Sequence, residues 1–258
     1  MPRPDRSYRT TAIILKRRDF GEADRLLTIL TPEHGKQDVI AKGARKLTSH
    51  KMGHVELLTR ADMLIHTGRE LGVAAQAEMT LPLDRLREDL VRGAYAGYCA
   101  ELVDKFVNAG FEDTRTLYRL TEATLIRIND VDDPRLSVRY FEVQLLLWAG
   151  FGPELSECVV GGEPIEPQDQ VFSPGEGGVV CPQHAPRVLN TLSLPMLTLK
   201  TLRLMQRSRY EQVEAANIPQ GPLDDSERIL SSFIAHILEK RPLSAEFLRR
   251  IRRESAPG

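Results

Sequence analysis

The sequence predicts a chain of the α+β class, in which a small closed β-barrel at the amino terminus is followed by an all-α domain with a long irregular insert. Short apolar or alternating runs fill the first 80 residues, and from Leu83 apolar residues recur every three to four positions. Glycine and proline then interrupt this period between residues 150 and 190. We therefore expect a barrel domain at 1–80 and a helical domain at 81–258, interrupted by the insert at 150–190.

Five runs predict the strands of the barrel. Each run is apolar or alternates in hydropathy, and turn residues such as Pro32, Gly35 and Gly43 separate them. The predicted strands span residues 8–16, 24–30, 36–41, 55–67 and 71–79. Five short strands with a long third connection fit a closed barrel of the OB-fold type, which commonly binds single-stranded nucleic acid.

The helical domain begins with one long predicted helix that runs from Leu83 to Phe106. Its apolar residues line a single face, which is typical of a helix packed against neighbours. Further helices are predicted at residues 114–129, 134–149, 195–207, 225–240 and 244–253. Three acids, Asp224, Asp225 and Glu227, stand at the start of the helix predicted from 225. We interpret them as residues that cap this helix and complement its dipole, in preference to a divalent-metal site.

The charge of the chain is distributed unevenly. The 258 residues carry a net charge of −1, but the first 54 hold twelve basic and six acidic side chains, so the remainder carries −7. Between Lys36 and Lys51 five basic residues accompany one acid, Asp38, and nearby glycines disfavour a helix. A basic loop on a β-domain is typical of a surface that neutralises phosphates. A solvated basic surface without a ligand is the alternative.

The insert contains a candidate metal site that lacks a ligand. Cys158 and Cys181 each stand where a CxxC knuckle would begin, and His184 completes the second knuckle. Structural zinc needs four ligands, but the partner position of Cys158 is Gly161, and Glu163 does not have the spacing of a knuckle. We therefore expect no zinc cofactor. If a metal does bind weakly, its protein ligands are Cys158, Cys181 and His184.

The sequence shows features of a protein of the reducing cytoplasm. The amino terminus is charged and has no apolar core of a signal peptide, and no apolar run approaches the ~18 residues of a membrane span. The three cysteines are too few for a disulfide framework. We expect a cytoplasmic chain without membrane contact.

Enzyme motifs are missing from the sequence. It contains no GxxxxGK[ST], HExxH or GxSxG pattern, and the six histidines are scattered without an acid at fixed spacing. We therefore predict no catalytic residues and no enzymatic activity.

Two segments resemble the RecO family of bacterial DNA repair proteins. The first spans residues 12–46, AIILKRRDFGEADRLLTILTPEHGKQDVIAKGARK, and continues at 53–78; the second spans 158–184, CVVGGEPIEPQDQVFSPGEGGVVCPQH. The resemblance implies an amino-terminal OB-fold and a helical carboxy-terminal domain. It also implies a recombination mediator at the nucleoid that binds single- and double-stranded DNA, anneals strands and, with RecR, helps to load RecA. Many members carry four zinc cysteines, and this chain departs from that pattern at Gly161 and His184.

The resemblance and the charge pattern together indicate the DNA-contacting residues. We expect phosphate contacts from Lys16, Arg17, Arg18, Arg25, Lys36, Lys42, Arg45, Lys46 and Lys51, with Tyr8 and Phe20 as candidates for base stacking. The family also implies binding of the acidic tail of single-stranded-DNA-binding protein. Candidate contacts are Arg203, Arg207, Arg209, Arg249, Arg250, Arg252 and Arg253. The alternatives are a protein-interaction scaffold whose barrel does not bind DNA and a metal-dependent nuclease.

Overall fold

The chain divides into two units. The structure is a computed structural model that describes residues 7–46, 49–51, 53–69, 71–108 and 114–254, without the side chain of Arg253. The first unit runs to Val131 and includes the chain from Leu248 onward, and the second unit spans Asp132–Phe247. Residues 47 and 48 of the predicted basic loop lie outside the described residues.

A closed five-stranded barrel occupies the first part of the chain. Its strands are β1 (Ser7–Phe20), β2 (Asp24–Thr31), β3 (Gly35–Ala41), β4 (Arg60–His66) and β5 (Gly72–Leu81). The strand order is β1-β2-β3-β5-β4, and β4 pairs with β1 to close the barrel. All pairs are antiparallel except β3 with β5, which is parallel. The predicted OB-fold barrel is confirmed.

Strand β1 belongs to two pairings at once. Its first half, Ser7–Ile13, pairs with β4, and its second half pairs with β2 from Ile13 to Phe20. The register shifts between Ile14 and Lys16, and Ile14 exchanges backbone hydrogen bonds with Thr59 and Leu58 at this point. Beyond the shift, β1 and β2 continue as a two-stranded hairpin whose far end carries exposed residues.

The barrel core explains why these segments are strands. Alternate residues of the five strands point inward, as the period of two in the sequence requires. The buried cluster is Ala12, Ile14, Leu27, Ile29, Val39, Ala41, Ala44, Val55, Ala61, Met63, Ile65 and Ala74. The fourth strand is predicted to begin at residue 55, but β4 begins at Arg60. Val55 and Leu58 are buried although they lie in turns, and the left-handed φ of 63° at Leu58 does not fit a strand.

Three helices follow the barrel in the first unit. They are α1 (Arg85–Glu88), α2 (Leu90–Phe106) and α3 (Arg115–Asp130). The prediction of one helix from Leu83 to Phe106 is wrong, because the backbone is extended at Asp89. The Asp89 side chain accepts hydrogen bonds from the backbone N–H groups of Val91 and Arg92 and so begins a new helix as its N-cap.

Asp104 on α2 is the partner of two barrel lysines. Lys16 of β1 forms an ion pair with one carboxylate oxygen, and the Lys36 ammonium of β3 lies 3.4 Å from the other. Lys36 also donates to the Asp104 carbonyl at 2.6 Å. Burial alone would raise the pKa of Asp104, but the hydrogen bonds and charges of the two lysines outweigh it and hold the pKa below its usual value.

The second unit is mainly helical. The remaining helices are α4 (Arg135–Trp148), α5 (Met196–Arg207), α6 (Tyr210–Ala215), α7 (Gln220–Ile237) and α8 (Leu243–Glu254), of which α8 passes the boundary between the units at Leu248. The prediction missed α6. None of the helices in the described ranges has the combination of length and apolar sequence that crossing a membrane requires.

The acidic cluster of α7 does not cap the helix. Because α7 begins at Gln220 and not at residue 225, its acids lie beyond the first turn, so the predicted capping role is wrong. Each acid instead pairs with an arginine: Asp224 with Arg135 at 3.2 Å, Asp225 with Arg228 at 3.0 Å, and Glu227 with Arg139 at 3.6 Å. Their role is structural, as expected, but it is exerted through ion pairs.

The insert is more ordered than its composition predicts. Three short strands, β6 (Gln170–Ser173), β7 (Gly178–Val180) and β8 (Leu192–Leu194), form a sheet in the order β7-β6-β8. Phe172 of β6 is 1% exposed and meets the edge of Phe233 on α7, with ring centroids 5.4 Å apart. The sheet therefore has a packed anchor in the helical unit.

We expect Asp104→Asn to lower the free energy of unfolding by about 1 to 3 kcal/mol near neutral pH, since two ammonium groups lose a charged acceptor. The folded pKa of Asp104 lies below the unfolded value of 3.8, so this stabilisation is present above that value and is lost as the pH falls through the folded pKa. Urea unfolding, followed by circular dichroism as the pH is lowered, measures the difference between wild type and variant. Glu88→Gln, which removes an exposed carboxylate of α1, is the control. A difference that stays constant into the acid range would contradict the ion pairing.

Candidate nucleic-acid interface and metal centre

The nine predicted phosphate-binding cations do not form one free surface. Four of them are ion-paired on the barrel to acids that lie far along the sequence. Lys16 and Lys36 share Asp104, as described, and Arg17 and Arg25 share Glu56. The distance from Arg25 to the Glu56 carboxylate is 2.7 Å. The charges of these four side chains are partly neutralised by acids of the protein itself.

Two further cations have internal hydrogen bonds. Lys51 donates to the carbonyl of Ala74 at 2.9 Å, and burial lowers the pKa of its ammonium group. Arg45 lies 3.4 Å from the Asp19 carboxylate and 3.3 Å from the carbonyl of Glu22, but it remains exposed. Lys51 is therefore partly buried and hydrogen-bonded, whereas Arg45 stays accessible.

The side chains of three predicted cations have no hydrogen-bond or ion-pair partner within the described part of the chain: Arg18, Lys42 and Lys46. All three are exposed. Arg18 lies on β1 opposite Leu26 of β2, which in turn is opposite Ile40, two residues before Lys42.

The turn that follows β3 carries Lys42, Arg45 and Lys46, and hydrogen bonds hold this turn against the end of the β1–β2 hairpin. The backbone N–H of Arg45 donates to the carbonyl of Ala23 at 2.9 Å, and the N–H of Gly43 donates to the Asp24 carboxylate at 2.7 Å. Gly43 has a φ of 65°, the left-handed conformation that glycine adopts without strain. We call the set of Arg18, Phe20, Lys42, Arg45 and Lys46 the hairpin-end surface.

The two aromatic candidates are placed differently. Phe20 is 43% exposed at the last position of β1. Tyr8 is half-buried, its hydroxyl hydrogen-bonds Gln37, and its ring lies 4.1 Å from the ring of His34. Of the two rings only Phe20 is exposed, and it lies two residues after Arg18 on β1, on the same side of the strand.

The structure gathers the candidate metal ligands of the insert. Cys158, Cys181 and His184 meet, and Glu163 joins them, with one ligand atom from each residue within 4.8 Å of all the others. Nδ1 of His184 lies 3.5 Å from Sγ of Cys158 and 3.3 Å from Sγ of Cys181. Oε1 of Glu163 lies 2.9 Å from Sγ of Cys181 and 3.1 Å from Nδ1 of His184. Four such groups fit the preference of zinc for sulfur, nitrogen and carboxylate ligands.

The expectation of no zinc depends on a missing fourth ligand, but the structure places a fourth candidate ligand, Glu163, beside the other three. A Cβ atom added to Gly161 would collide with the Glu163 carboxylate and the His184 ring. Glu163 therefore occupies the space that a cysteine at 161 would fill. A search for the CxxC spacing does not find Glu163, because its carboxylate extends back to this space from two residues further along the chain. Within the described residues this is the one group of three or more His, Cys, Asp or Glu side chains placed to hold a metal ion.

Some of the arginines predicted to bind an acidic tail are tethered in the second unit. Arg203 donates to the carbonyl of Leu155 at 2.6 and 2.8 Å, and Arg207 donates to the Ser156 hydroxyl at 2.7 Å. Arg209 and Arg249 are exposed, as is Arg250, and Arg252 is partly exposed. The side chain of Arg253 lies outside the described residues.

Comparison with known proteins agrees with the architecture. The family described as "Recombination protein O N terminal" matches residues 6–82, and "Recombination protein O C terminal" matches residues 87–246. The protein named DNA repair protein RecO from Roseiflexus sp. (strain RS-1) is 40% identical over 98% of this chain and 90% of its own. The proteins of the same name from Desulforamulus reducens and Desulforudis audaxviator are 32% and 34% identical over 95% of this chain, and over 94% and 98% of their own. The chain belongs to the RecO family of DNA repair and recombination proteins.

Proposed function

We propose that the chain is a DNA-binding recombination mediator. It binds single- and double-stranded DNA through the barrel, anneals complementary strands and, with RecR, helps to load RecA on DNA coated by single-stranded-DNA-binding protein. The observation that carries the proposal is the hairpin-end surface, where exposed cations and one exposed aromatic ring share the end of the β1–β2 hairpin and the turn bonded to it on an OB-fold barrel. Family membership supports the same role.

The chemistry of this surface suits binding without sequence preference. Arg18, Lys42 and Lys46 can neutralise phosphates and release counterions, and such contacts read no bases. Phe20 can stack on an unpaired base of any identity. A mediator that works on whatever sequence is damaged needs this kind of contact. Cations bound to phosphates also reduce the electrostatic repulsion between two DNA strands, so the same surface can hold complementary strands near each other.

We propose that the chain acts on DNA without cutting it. The acids of α7 are engaged with Arg135, Arg139 and Arg228 and so do not form an open magnesium site. Incubating labelled DNA with the protein and Mg²⁺ tests this directly. Cleavage products that track with the purified chain would favour a nuclease.

An interaction scaffold is the second candidate, and one observation favours it. Six of the nine predicted phosphate-binding cations have partners within the protein, so the free positive charge is smaller than the sequence indicates. A scaffold would bind a partner protein and show no salt-dependent affinity for DNA. Binding of a labelled oligonucleotide across salt concentrations therefore distinguishes the two functions.

The protein partners proposed are RecR and the acidic tail of single-stranded-DNA-binding protein, and the site of action is the nucleoid in the cytoplasm. An acidic tail needs exposed cations, and Arg249 on α8 is exposed whereas Arg203 and Arg207 are already tethered. We expect Arg249→Gln to weaken binding of a labelled tail peptide, with the largest effect at low salt. Lys240→Gln, which removes another exposed cation, is the matched control and should bind the peptide as wild type does. Equal affinities of the two variants and wild type would remove Arg249 from the tail site.

The first test on DNA replaces Arg18, Lys42 and Lys46 by glutamine together. We expect weaker binding of every oligonucleotide sequence, and a log–log salt slope for single strands that is flatter by about 2, since each lost phosphate contact removes about 0.7. Fluorescence anisotropy of a labelled oligonucleotide across salt concentrations measures both. The matched control replaces Arg187, Lys200 and Lys240, three exposed cations of the second unit, and so removes the same charge. Equal slopes for the two triple variants would show that DNA binds elsewhere.

The second test on DNA separates stacking from charge. We expect Phe20→Ala to weaken binding to single strands by about 1 to 3 kcal/mol without changing the salt slope, because an aromatic ring stacks on bases and neutralises no phosphate. Duplex binding should change little, since paired bases are already stacked. Phe151→Ala, which removes a ring that is 48% exposed in the second unit, is the control. A loss of the same size on duplex DNA would argue against stacking.

A further inference from the structure

We propose that Glu163 is the fourth ligand of a structural zinc ion that is held together with Cys158, Cys181 and His184. The family resemblance raises the question of a zinc site but supplies no ligand at Gly161. The assignment of Glu163 comes from the position of its carboxylate beside the other three groups.

The distances between the four groups suit tetrahedral coordination. With metal–sulfur bonds of about 2.3 Å and metal–nitrogen or metal–oxygen bonds of about 2.0 Å, the edges of the tetrahedron measure about 3.3 to 3.8 Å. The sulfur–nitrogen separations are 3.3 and 3.5 Å, whereas the Glu163 carboxylate lies closer, 3.1 Å from the histidine nitrogen and 2.9 Å from Sγ of Cys181. Small outward shifts of the side chains would centre an ion among them.

The backbone brings Glu163 to this position. The chain folds back between Cys158 and Glu163, where the N–H of Cys158 donates to the carbonyl of Glu163 at 2.8 Å and the N–H of Gly162 donates to the carbonyl of Cys158 at 2.7 Å. Gly162 adopts a φ of 77°, which allows this tight turn. The turn directs the carboxylate into the space beside Gly161.

The two cysteines stand at the start of similar turns. The backbone carbonyl of Cys158 accepts a hydrogen bond from the N–H of Gly162 at 2.7 Å, and the carbonyl of Cys181 accepts one from the N–H of Ala185 at 2.9 Å. In each case the donor lies four residues after the cysteine, so the two turns are alike although the first has lost its second ligand. The N–H of Cys181 also donates to Sγ of Cys158 at 3.4 Å, and such a donor stabilises the negative charge of a thiolate.

A site with four protein ligands has a structural role. Saturated coordination leaves no open position for a substrate, so the ion would hold the turn at 158–163 to the turn at 181–184. Leu155 and Ser156, just before the first turn, are already tied to α5 by Arg203 and Arg207. Zinc binding would therefore stabilise the insert against the helical unit, because the free energy of metal binding adds to that of folding.

The test compares zinc content and thermal stability of the full-length chain. Wild type, reduced and reconstituted with zinc, should hold one ion per chain by elemental analysis and should melt at a lower temperature after treatment with a strong chelator. Glu163→Gln should lower zinc affinity at least about tenfold in competition with a chromogenic chelator, since second-shell changes alone cost 10- to 100-fold. Glu166→Gln, which changes an exposed glutamate of the same insert, should behave as wild type.

The metal-free proteins protect the test against a fold defect. After chelator treatment, Glu163→Gln and wild type should melt at the same temperature, because glutamine keeps the size of the side chain and only the metal ligand is lost. A lower zinc affinity of Glu163→Gln then reports coordination. No zinc in reconstituted wild type, or equal affinity of wild type and Glu163→Gln, would overturn the assignment.

Discussion

The rest of the structure depends on how the backbone hydrogen bonds of β1 are shared. A strand within a closed barrel must pair on both edges, and β1 pairs with β4 only up to Ile13. From there its pairing with β2 alone carries the chain outward to Phe20. The same strand therefore closes the barrel and supports the hairpin end. Because the backbone there is paired on one edge and exposed, its side chains are free to be cationic and aromatic.

Internal ion pairs decide which of the basic residues can meet a polyanion. Asp104 and Glu56 together engage four cations that would otherwise add to the positive field of the barrel. These pairs join β1, β2 and β3 to α2 and to the loop before β4, so they contribute to the shape of the unit. As a result, fewer unpaired positive charges remain on the barrel surface. We infer that binding relies on a few phosphate contacts plus stacking on Phe20, so its log–log salt slope is shallow, about −2 for three contacts with a single strand.

Much of the fold can be predicted from the sequence, because alternation and helical periods report directly on burial. The five strands follow from this. The break between α1 and α2 at Asp89 does not, because the apolar period of the sequence continues across Asp89 while its side chain caps a new helix. The pairing of Lys36 with Asp104 joins residues far apart in the chain, which composition cannot reveal. Glu163 escapes a spacing rule for a similar reason: coordination depends on where a carboxylate lies in space.

Photocrosslinking of a single-stranded oligonucleotide to the intact chain, followed by mass spectrometry of the crosslinked peptides, measures most directly where DNA lies. If DNA binds the hairpin-end surface, crosslinks fall on the end of the β1–β2 hairpin, with Phe20 foremost, and on the turn between Lys42 and Lys46. Raising the salt concentration should reduce both sets together. Crosslinks confined to the second unit, Asp132–Phe247, would contradict the placement of the DNA site on the barrel.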